Sequence, residues 1–104
     1  MADDRLFVCA SRYTRPSDEV DAQRDAHLAW IASHYAAGRM LASGRQDPPV
    51  GGLLVLRAES REAVEALLRT DPYVRHELVS YAVTAFTQTP APLRSRQVAD
   101  FLAS

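Results

Sequence analysis

The alternation of short apolar segments with helix-forming segments is the feature that most restricts the fold of this chain. Segments rich in branched and aromatic residues are typical of strands, and they lie at residues 6–10, 40–43, 53–58 and 78–86. Two longer segments carry the capping residues and apolar spacing of helices, and they lie at residues 17–37 and 60–70. The order β-α-β-β-α-β predicts an α+β fold of the ferredoxin-like type with an antiparallel sheet.

Capping residues and one proline indicate where the helices begin and end. Ser17 or Asp18 is suited to cap the first helix, and acidic residues follow in its first turn. Ser60 is suited to cap the second helix. That helix is expected to end just before Asp71, because Pro72 disfavours helical geometry in the residue that precedes it.

Both faces of the predicted sheet carry apolar residues. Phe7 and Val8, for example, project to opposite faces of the first strand. Two helices cover only one face, so we expect a second subunit to cover the other through a contact between sheet faces. The 104 residues approach the usual size of one domain, with a core at residues 5–87 and a C-terminal tail at 88–104. We therefore predict a homodimer of single-domain subunits.

Composition excludes several classes of function. The net charge of −1 favours neither nucleic acid nor an anionic membrane, and the absence of lysine excludes a lysine nucleophile. Cys9 is the single cysteine, which excludes an internal disulfide and a cysteine-based zinc cluster. No apolar segment approaches the roughly 18 residues of a membrane span. The acidic N-terminus lacks a signal-peptide pattern, so we predict a cytoplasmic protein.

His27 falls on the predicted inner face of the first helix. At about 100° per residue, this face consists of Val20, Arg24, His27, Leu28, Ile31 and Tyr35. Arg24 and His27 are thus expected to point at the sheet, and buried polar groups need partners. His27 can satisfy this need with a backbone carbonyl in the core, or with a carboxylate beside a cleft.

Asp71 is the carboxylate that the topology brings towards His27. It follows the second helix directly, and the two helices of this fold lie side by side on one face of the sheet. By itself, Asp71-Pro72 is typical of a helix stop with an Asx turn. Together, His27 and Asp71 predict a dyad in which the carboxylate orients the imidazole and stabilises its charged form for general-base chemistry.

Other polar residues are weaker candidates. We expect His34 to be a partly exposed helix residue, His76 a surface turn residue and Cys9 a buried packing residue. A metal site formed by His27, Asp71 and His76 is an alternative, but no ligand spacing singles it out. We therefore predict no metal, and no motif for a flavin or nicotinamide cofactor is present.

Several of these residues carry a resemblance to a known family. The matching segments are Arg24-x-x-His27-Leu28-x-Trp30, Gly38-Arg39-Met40-Leu41-x-x-Gly44, the loop at 47–52 with the strand after it, and Asp71-Pro72-Tyr73-Val74. From Leu6 to Phe86 the chain resembles the YciI-like (YCII-related) proteins. The chain departs from the family at His76-Glu77, where members usually have a small residue and a glycine. This departure adds two ionisable groups and changes a turn that suits glycine.

The resemblance implies a dimeric ferredoxin-like α+β barrel. It also implies that His27 and Asp71 match the family's proposed active-site pair, that Arg24 matches a family arginine, and that Tyr73 matches its usual aromatic. One branch of the family removes HCl from a chlorinated hydroxyquinol. Related dimeric barrels isomerise muconolactones or oxidise small polyphenols.

These observations predict a cofactor-independent enzyme in which His27 moves a proton on a small cyclic or chloroaromatic substrate. Arg24 is expected either to hold an oxyanion or carboxylate of the substrate or to pair with Asp71, and Tyr73 and Trp30 are expected to line the pocket. The reaction is elimination, as in a dehydrochlorinase, or isomerisation. The alternative is a non-catalytic dimeric ligand-binding or stress-associated protein, and a third possibility is cofactor-free oxidation by molecular oxygen.

Overall fold

The computed structural model describes residues 5–90 and 92–104. Residues 1–4 and Ala91 lie outside the described residues. The prediction that no signal peptide is present rests on residues 1–4. In chain order the elements are β1 (Arg5–Tyr13), α1 (Ser17–Asp21), α2 (Arg24–Ala36), β2 (Met40–Arg45), β3 (Gly52–Ala58), α3 (Arg61–Leu68), α4 (Pro72–Arg75), β4 (Val79–Phe86) and α5 (Arg96–Ala103). No helix in this part of the chain is long and apolar enough to cross a membrane.

The four strands form one antiparallel sheet in the order β2-β3-β1-β4. The predicted α+β fold of the ferredoxin-like type is confirmed by this order, in which β1 lies between β3 and β4. The register places Cys9 opposite Leu54 on one side and Val83 on the other. β1 and β2 run further than predicted, to Tyr13 and Arg45, because polar residues at strand ends can continue the backbone ladder without an apolar pattern.

The first predicted helix is two helices rather than one. α1 ends at Asp21 and α2 begins at Arg24, with Gln23 in a non-helical conformation at the N-cap of α2. The prediction that Ser17 or Asp18 caps this segment is also wrong, since Pro16 occupies the N-cap and no side chain bonds to the helix end. The predicted single helix over residues 17–37 is therefore interrupted at residues 22–23.

Two apolar clusters form the interior. The larger lies between the sheet and helices α2 and α3, and its buried members are Phe7, Cys9, Ile31, Met40, Leu54, Leu56, Val64 and Leu68. The smaller lies where α1 and α4 meet the start of β4, and its buried members are Val20, Tyr73, Leu78 and Val79. Burial of large aliphatic and aromatic side chains supplies most of the driving force for folding. The boundary between these clusters is where the candidate site lies.

The other face of the sheet is only partly covered. Arg57 donates hydrogen bonds to the carbonyl oxygens of Phe101 and Leu102 at 2.8 and 3.3 Å, which attaches the end of α5 beside Leu6. Leu6 is 2% exposed there. Leu53 and Phe86 on the same face keep 37% and 41% of their surface exposed. An apolar area therefore remains open on this face.

A close backbone contact fixes the loop between β2 and β3 against β1. A Cβ atom added at Gly51 would lie 1.8 Å from the carbonyl oxygen of Ser11. We expect Gly51→Ala to lower the free energy of unfolding by about 1–3 kcal/mol, because backbone must move to admit the methyl group. Gly44→Ala is the matched control, since nothing lies within 4 Å of its added Cβ. Urea unfolding curves measure both, and equal stability of the two variants would contradict the prediction.

Candidate active site

His27 and Asp71 are in direct contact. The Nδ1 atom of His27 lies 2.8 Å from Oδ1 of Asp71, so the topology brings together two residues 44 positions apart. His27 lies in the first turns of α2, and Asp71 is the N-cap of α4 with extended backbone at φ −64° and ψ 127°. The Asp71 side chain has no exposed surface, whereas 15% of the His27 side chain is exposed. The predicted proximity of the two residues is confirmed.

Both oxygens of Asp71 accept hydrogen bonds. Oδ1 accepts from Nδ1 of His27 at 2.8 Å and from the backbone N–H of Tyr73 at 3.0 Å. Oδ2 accepts from the hydroxyl of Tyr81 at 2.7 Å. A buried carboxylate is costly unless donors surround it, and these donors compensate the burial of Asp71. Asp71 thus forms the Asx-type turn at the start of α4 and the contact with His27 at the same time.

The contact with Asp71 determines which nitrogen of His27 is left for a substrate. A carboxylate oxygen accepts, so Nδ1 carries the proton and donates it. In the neutral ring, Nε2 then holds the free lone pair. The ring of Tyr73 stacks on the imidazole with 3.9 Å between centroids and 6° between planes. This contact and the hydrogen bond together hold the imidazole in one orientation.

A cavity of about 240 Å³ opens beside His27. Its wall combines hydroxyl groups, guanidinium groups and apolar side chains. These groups come from α2, α4 and all four strands. The lining residues are Ser11, Tyr13, Arg24, His27, Leu28, Ile31, Ser43, Gly44, Arg45, Gly52, Leu54, Tyr73 and Tyr81. The size and the mixture of apolar surface with a few polar groups suit a small cyclic molecule.

The inner face of α2 differs from the predicted stripe. Leu28 and Tyr35 are 46% and 43% exposed, whereas Ile31 and His34 are buried at 8% and 6%. The predicted face was centred too far towards Leu28. At about 100° per residue, Val20, Ile31 and His34 share an arc of about 60°, and this arc is the one that is buried, whereas Leu28 lies about 80° from Val20. His34 was expected to be partly exposed, and that prediction is wrong.

The remaining predicted site residues have different placements. Arg24 is exposed, lines the cavity and does not form an ion pair with Asp71, which pairs with His27. Tyr73 also lines the cavity. Trp30 does not belong to the lining, in contrast to the prediction. Its Nε1 donates to Oγ1 of Thr70 at 2.8 Å, and its ring packs against the larger core cluster.

Tyr81 is a site residue that the sequence reasoning missed. It lines the cavity, and its hydroxyl donates to Asp71 on the side opposite His27. Burial raises the pKa of Tyr81 well above its ordinary value, and the adjacent Asp71 carboxylate adds to this rise. The phenol therefore remains a donor at neutral pH. The available signal was a hydroxyl on the inward face of a strand, which requires an acceptor once it is buried.

His34 is buried on α2, where its ring packs edge to face with Trp30. Nδ1 accepts a hydrogen bond from Nε of Arg39 at 3.1 Å, so the neutral ring carries its proton on Nε2. Nε2 is buried without a hydrogen-bond partner in the described part of the chain. Burial lowers the pKa of His34, the Arg39 guanidinium lowers it further, and the Asp71 carboxylate partly opposes them.

Acid is expected to destabilise the protein through His34. The unfolded chain takes up this proton near the ordinary histidine pKa of about 6.5, whereas folded His34 resists it to lower pH. The unfolded state then binds more protons, so the free energy of unfolding falls as pH drops below about 6.5, by at most about 1.4 kcal/mol per pH unit for one proton. Urea unfolding at pH 5 to 8 measures this slope. His34→Gln should flatten it, and His76→Gln is the exposed control. Equal slopes in all three proteins would refute the assignment.

His76 and Glu77 are exposed beside α4 and do not join the cavity wall. Glu77 has a φ of 59°, in the left-handed region that glycine adopts more readily. The chain therefore keeps the turn despite the departure from the family pattern. Among residues 5–90 and 92–104, no group of three or more histidine, cysteine or acidic side chains is arranged to hold a metal ion, which contradicts the alternative site with His76.

Comparisons with known proteins agree with this fold. The model of the YCII-related domain matches residues 6–87. A similar solved structure is 5-chloro-2-hydroxyhydroquinone dehydrochlorinase (TftG) from Burkholderia phenoliruptrix AC1100 in complex with 2,5-dihydroxybenzoquinone. The TM-score is 0.69 at 22% sequence identity, and the match covers 81% of this chain and 95% of that chain. A search of curated protein sequences finds no match.

Proposed function

The chain belongs to the YCII-related family, and from this premise we propose that it is an enzyme that moves protons on a small hydroxylated ring. The reaction is elimination of the dehydrochlorinase type or isomerisation, and it requires no cofactor. The observation that carries the proposal is the 2.8 Å contact between Nδ1 of His27 and the buried Asp71, at the wall of a cavity that fits one small ring.

His27 acts as the general base and acid. Its Nε2 accepts a proton from a substrate hydroxyl and can return that proton to another atom of the substrate. The imidazolium that forms in between is stabilised by Asp71, which accepts from its Nδ1–H. Tyr73 keeps the ring in place by stacking, and Arg24 stabilises the oxyanion that remains on the substrate.

Proton transfer alone accounts for the loss of HCl from a chlorinated hydroxyquinol. A proton taken from one hydroxyl is returned to the ring carbon that bears chlorine, which makes that carbon tetrahedral. Removal of a second hydroxyl proton then forms a carbonyl, and the carbon–chlorine bond breaks with its electron pair on chloride. The net change is loss of one HCl and formation of a quinone, so no external oxidant or reductant is consumed.

TftG supplies the first substrate to test. That protein is a 5-chloro-2-hydroxyhydroquinone dehydrochlorinase, and its structure holds 2,5-dihydroxybenzoquinone. We expect the purified protein to accelerate chloride release from 5-chloro-2-hydroxyhydroquinone under anaerobic conditions, or to isomerise a muconolactone. Absence of acceleration over buffer with both substrate types would contradict the proposed reaction class.

The same assay separates the other functions considered. A non-catalytic ligand-binding or stress-associated protein binds such rings without turnover. A cofactor-free oxidase consumes oxygen with a hydroquinone, which an oxygen electrode detects. Chloride release without oxygen uptake supports elimination over both.

We further propose that the protein works in the cytoplasm as a homodimer formed through the open sheet faces. The half-exposed Leu53 and Phe86 support this arrangement, because an exposed apolar face is stabilised by a second copy. Sedimentation equilibrium measures the mass in solution. A mass of one 11.5 kDa chain at micromolar concentration would contradict the dimer.

A further inference from the structure

Two guanidinium groups face the candidate site from different elements. Arg24 is the first residue of α2 and Arg45 the last residue of β2, and both line the cavity beside His27. The lining contains no aspartate or glutamate. The cavity wall therefore receives positive charge from two elements of the fold.

Neither guanidinium is neutralised by an acidic side chain in the described part of the chain. The ion pair found there joins His27 and Asp71. Asp71 cannot turn to the arginines, because it is fully buried and its two oxygens already accept from His27, Tyr73 and Tyr81. The charges of Arg24 and Arg45 are thus available to a ligand.

The electrostatics of Tyr73 indicate that both charges act on the same space. Burial raises the pKa of this phenol, and the guanidinium groups of Arg24 and Arg45 both oppose the rise. Tyr73 forms part of the cavity wall and stacks on His27. A negatively charged ligand in the cavity would therefore be attracted by both arginines.

We propose that the cavity selects planar ring anions and that Arg45, together with Arg24, is a specificity-determining residue for their charge. The inference rests on the proposed function and names its substrate class: rings whose negative charge is spread over phenolate, enolate or carboxylate oxygens on more than one side. Guanidinium groups suit such oxygens, because they donate two parallel hydrogen bonds and remain charged at any working pH.

Selection by charge matters for the chemistry. Proton removal from a hydroxylated ring leaves an oxyanion, and the fixed positive charge of the cavity wall stabilises it once His27 has taken up the proton. A neutral ring of the same shape gains only the apolar contacts of the wall. The arginines therefore act in binding and in the proton-transfer step.

Calorimetric titration with two matched probes tests the inference without turnover. The probes are 2,5-dihydroxybenzoquinone, which is ionised at neutral pH, and 2,5-dimethoxybenzoquinone, which cannot ionise. We expect the anion to bind at least about 10-fold more tightly than the neutral probe, since hydrogen bonds to charged groups contribute more than neutral ones. Arg45→Gln and Arg24→Gln should each weaken anion binding by about 10-fold or more and leave the neutral probe unchanged.

Arg94→Gln is the matched control, because it removes the same charge from an exposed residue outside the cavity lining. Equal affinity for the two probes, no binding of either, or equal weakening of both by Arg45→Gln would each overturn the inference. Its failure is distinguishable from failure of the proposed function. Anion selectivity without chloride release rejects the proposed reaction and keeps the charge-selective cavity. Chloride release without anion selectivity keeps the proposed reaction and rejects the charge-selective cavity.

Discussion

Replacement of His27 by glutamine is expected to lower kcat for the proton-transfer reaction by about 10²- to 10⁴-fold, the usual contribution of a positioned acid–base group. Glutamine has a similar length and can still donate to Asp71 through its amide, so the local packing is kept. It has no nitrogen lone pair comparable to Nε2, so the proton has no acceptor. Steady-state kinetics of chloride release from 5-chloro-2-hydroxyhydroquinone measure the loss.

His76→Gln is the control for this substitution, because His76 is exposed and lies outside the cavity wall. Its kcat should equal that of the wild type. Titration with 2,5-dihydroxybenzoquinone should show that His27→Gln still binds the ring. A His27→Gln protein that folds, binds the probe and keeps most of its kcat would remove His27 from the mechanism.

Asp71→Asn is expected to lower both activity and stability. The amide keeps the size of the side chain but replaces one acceptor oxygen with an N–H₂ donor, which must face His27, Tyr73 or Tyr81. A buried donor left without an acceptor costs about 1–3 kcal/mol of unfolding free energy. Loss of the carboxylate also releases the orientation of His27, so kcat should fall by about 10²-fold or more. Urea unfolding and steady-state kinetics measure the two effects separately.

Tyr81→Phe separates the contributions of the two Asp71 oxygens. It removes the donor on Oδ2 and leaves the contacts of Oδ1 with His27 and the N-cap intact. We expect a smaller fall in kcat than for Asp71→Asn, because Tyr81 positions the carboxylate and does not touch the imidazole. If Asp71→Asn loses stability while kcat stays unchanged, Asp71 is a structural cap and has no part in the reaction.

The sequence was sufficient to predict the ferredoxin-like order of strands and helices and the proximity of His27 to Asp71. Apolar segments bounded by turn residues defined the strands. Pro72 excluded Asp71 from α3 and left it at the start of α4. The topology then determined where the helices meet. Local signals of this kind are strong because a proline or a cap acts on its own neighbours.

The orientation of α2 was less predictable, because its apolar residues are spread around the helix and do not mark one face. Leu28 is exposed and His34 is buried, so the buried face is centred near His27 and Ile31. No proline or glycine marks the break between α1 and α2. Trp30 lies outside the cavity lining, where its indole binds Thr70. Tertiary packing determined these positions, and no local pattern records it.

The cavity wall was the least predictable part. Ser11, Arg45 and Tyr81 come from three strands, and each lies in a segment whose pattern indicates only that it is extended. Their convergence depends on strand order and register, which bring together residues far apart in sequence. A site made of strand residues therefore becomes visible only when the sheet is assembled.

Asp71 accepts from the backbone of α4 as well as from His27, so one carboxylate serves the fold and the proposed chemistry. Selection for a folded chain alone would preserve this aspartate in descendants that have lost the reaction. His27 also donates to this carboxylate, but Asp71 keeps the donors Tyr73 N–H and Tyr81 O–H if His27 is replaced, so drift could replace the histidine more easily. In a survey of relatives, the presence of the histidine would therefore separate active from inactive lineages, and the presence of the aspartate would not.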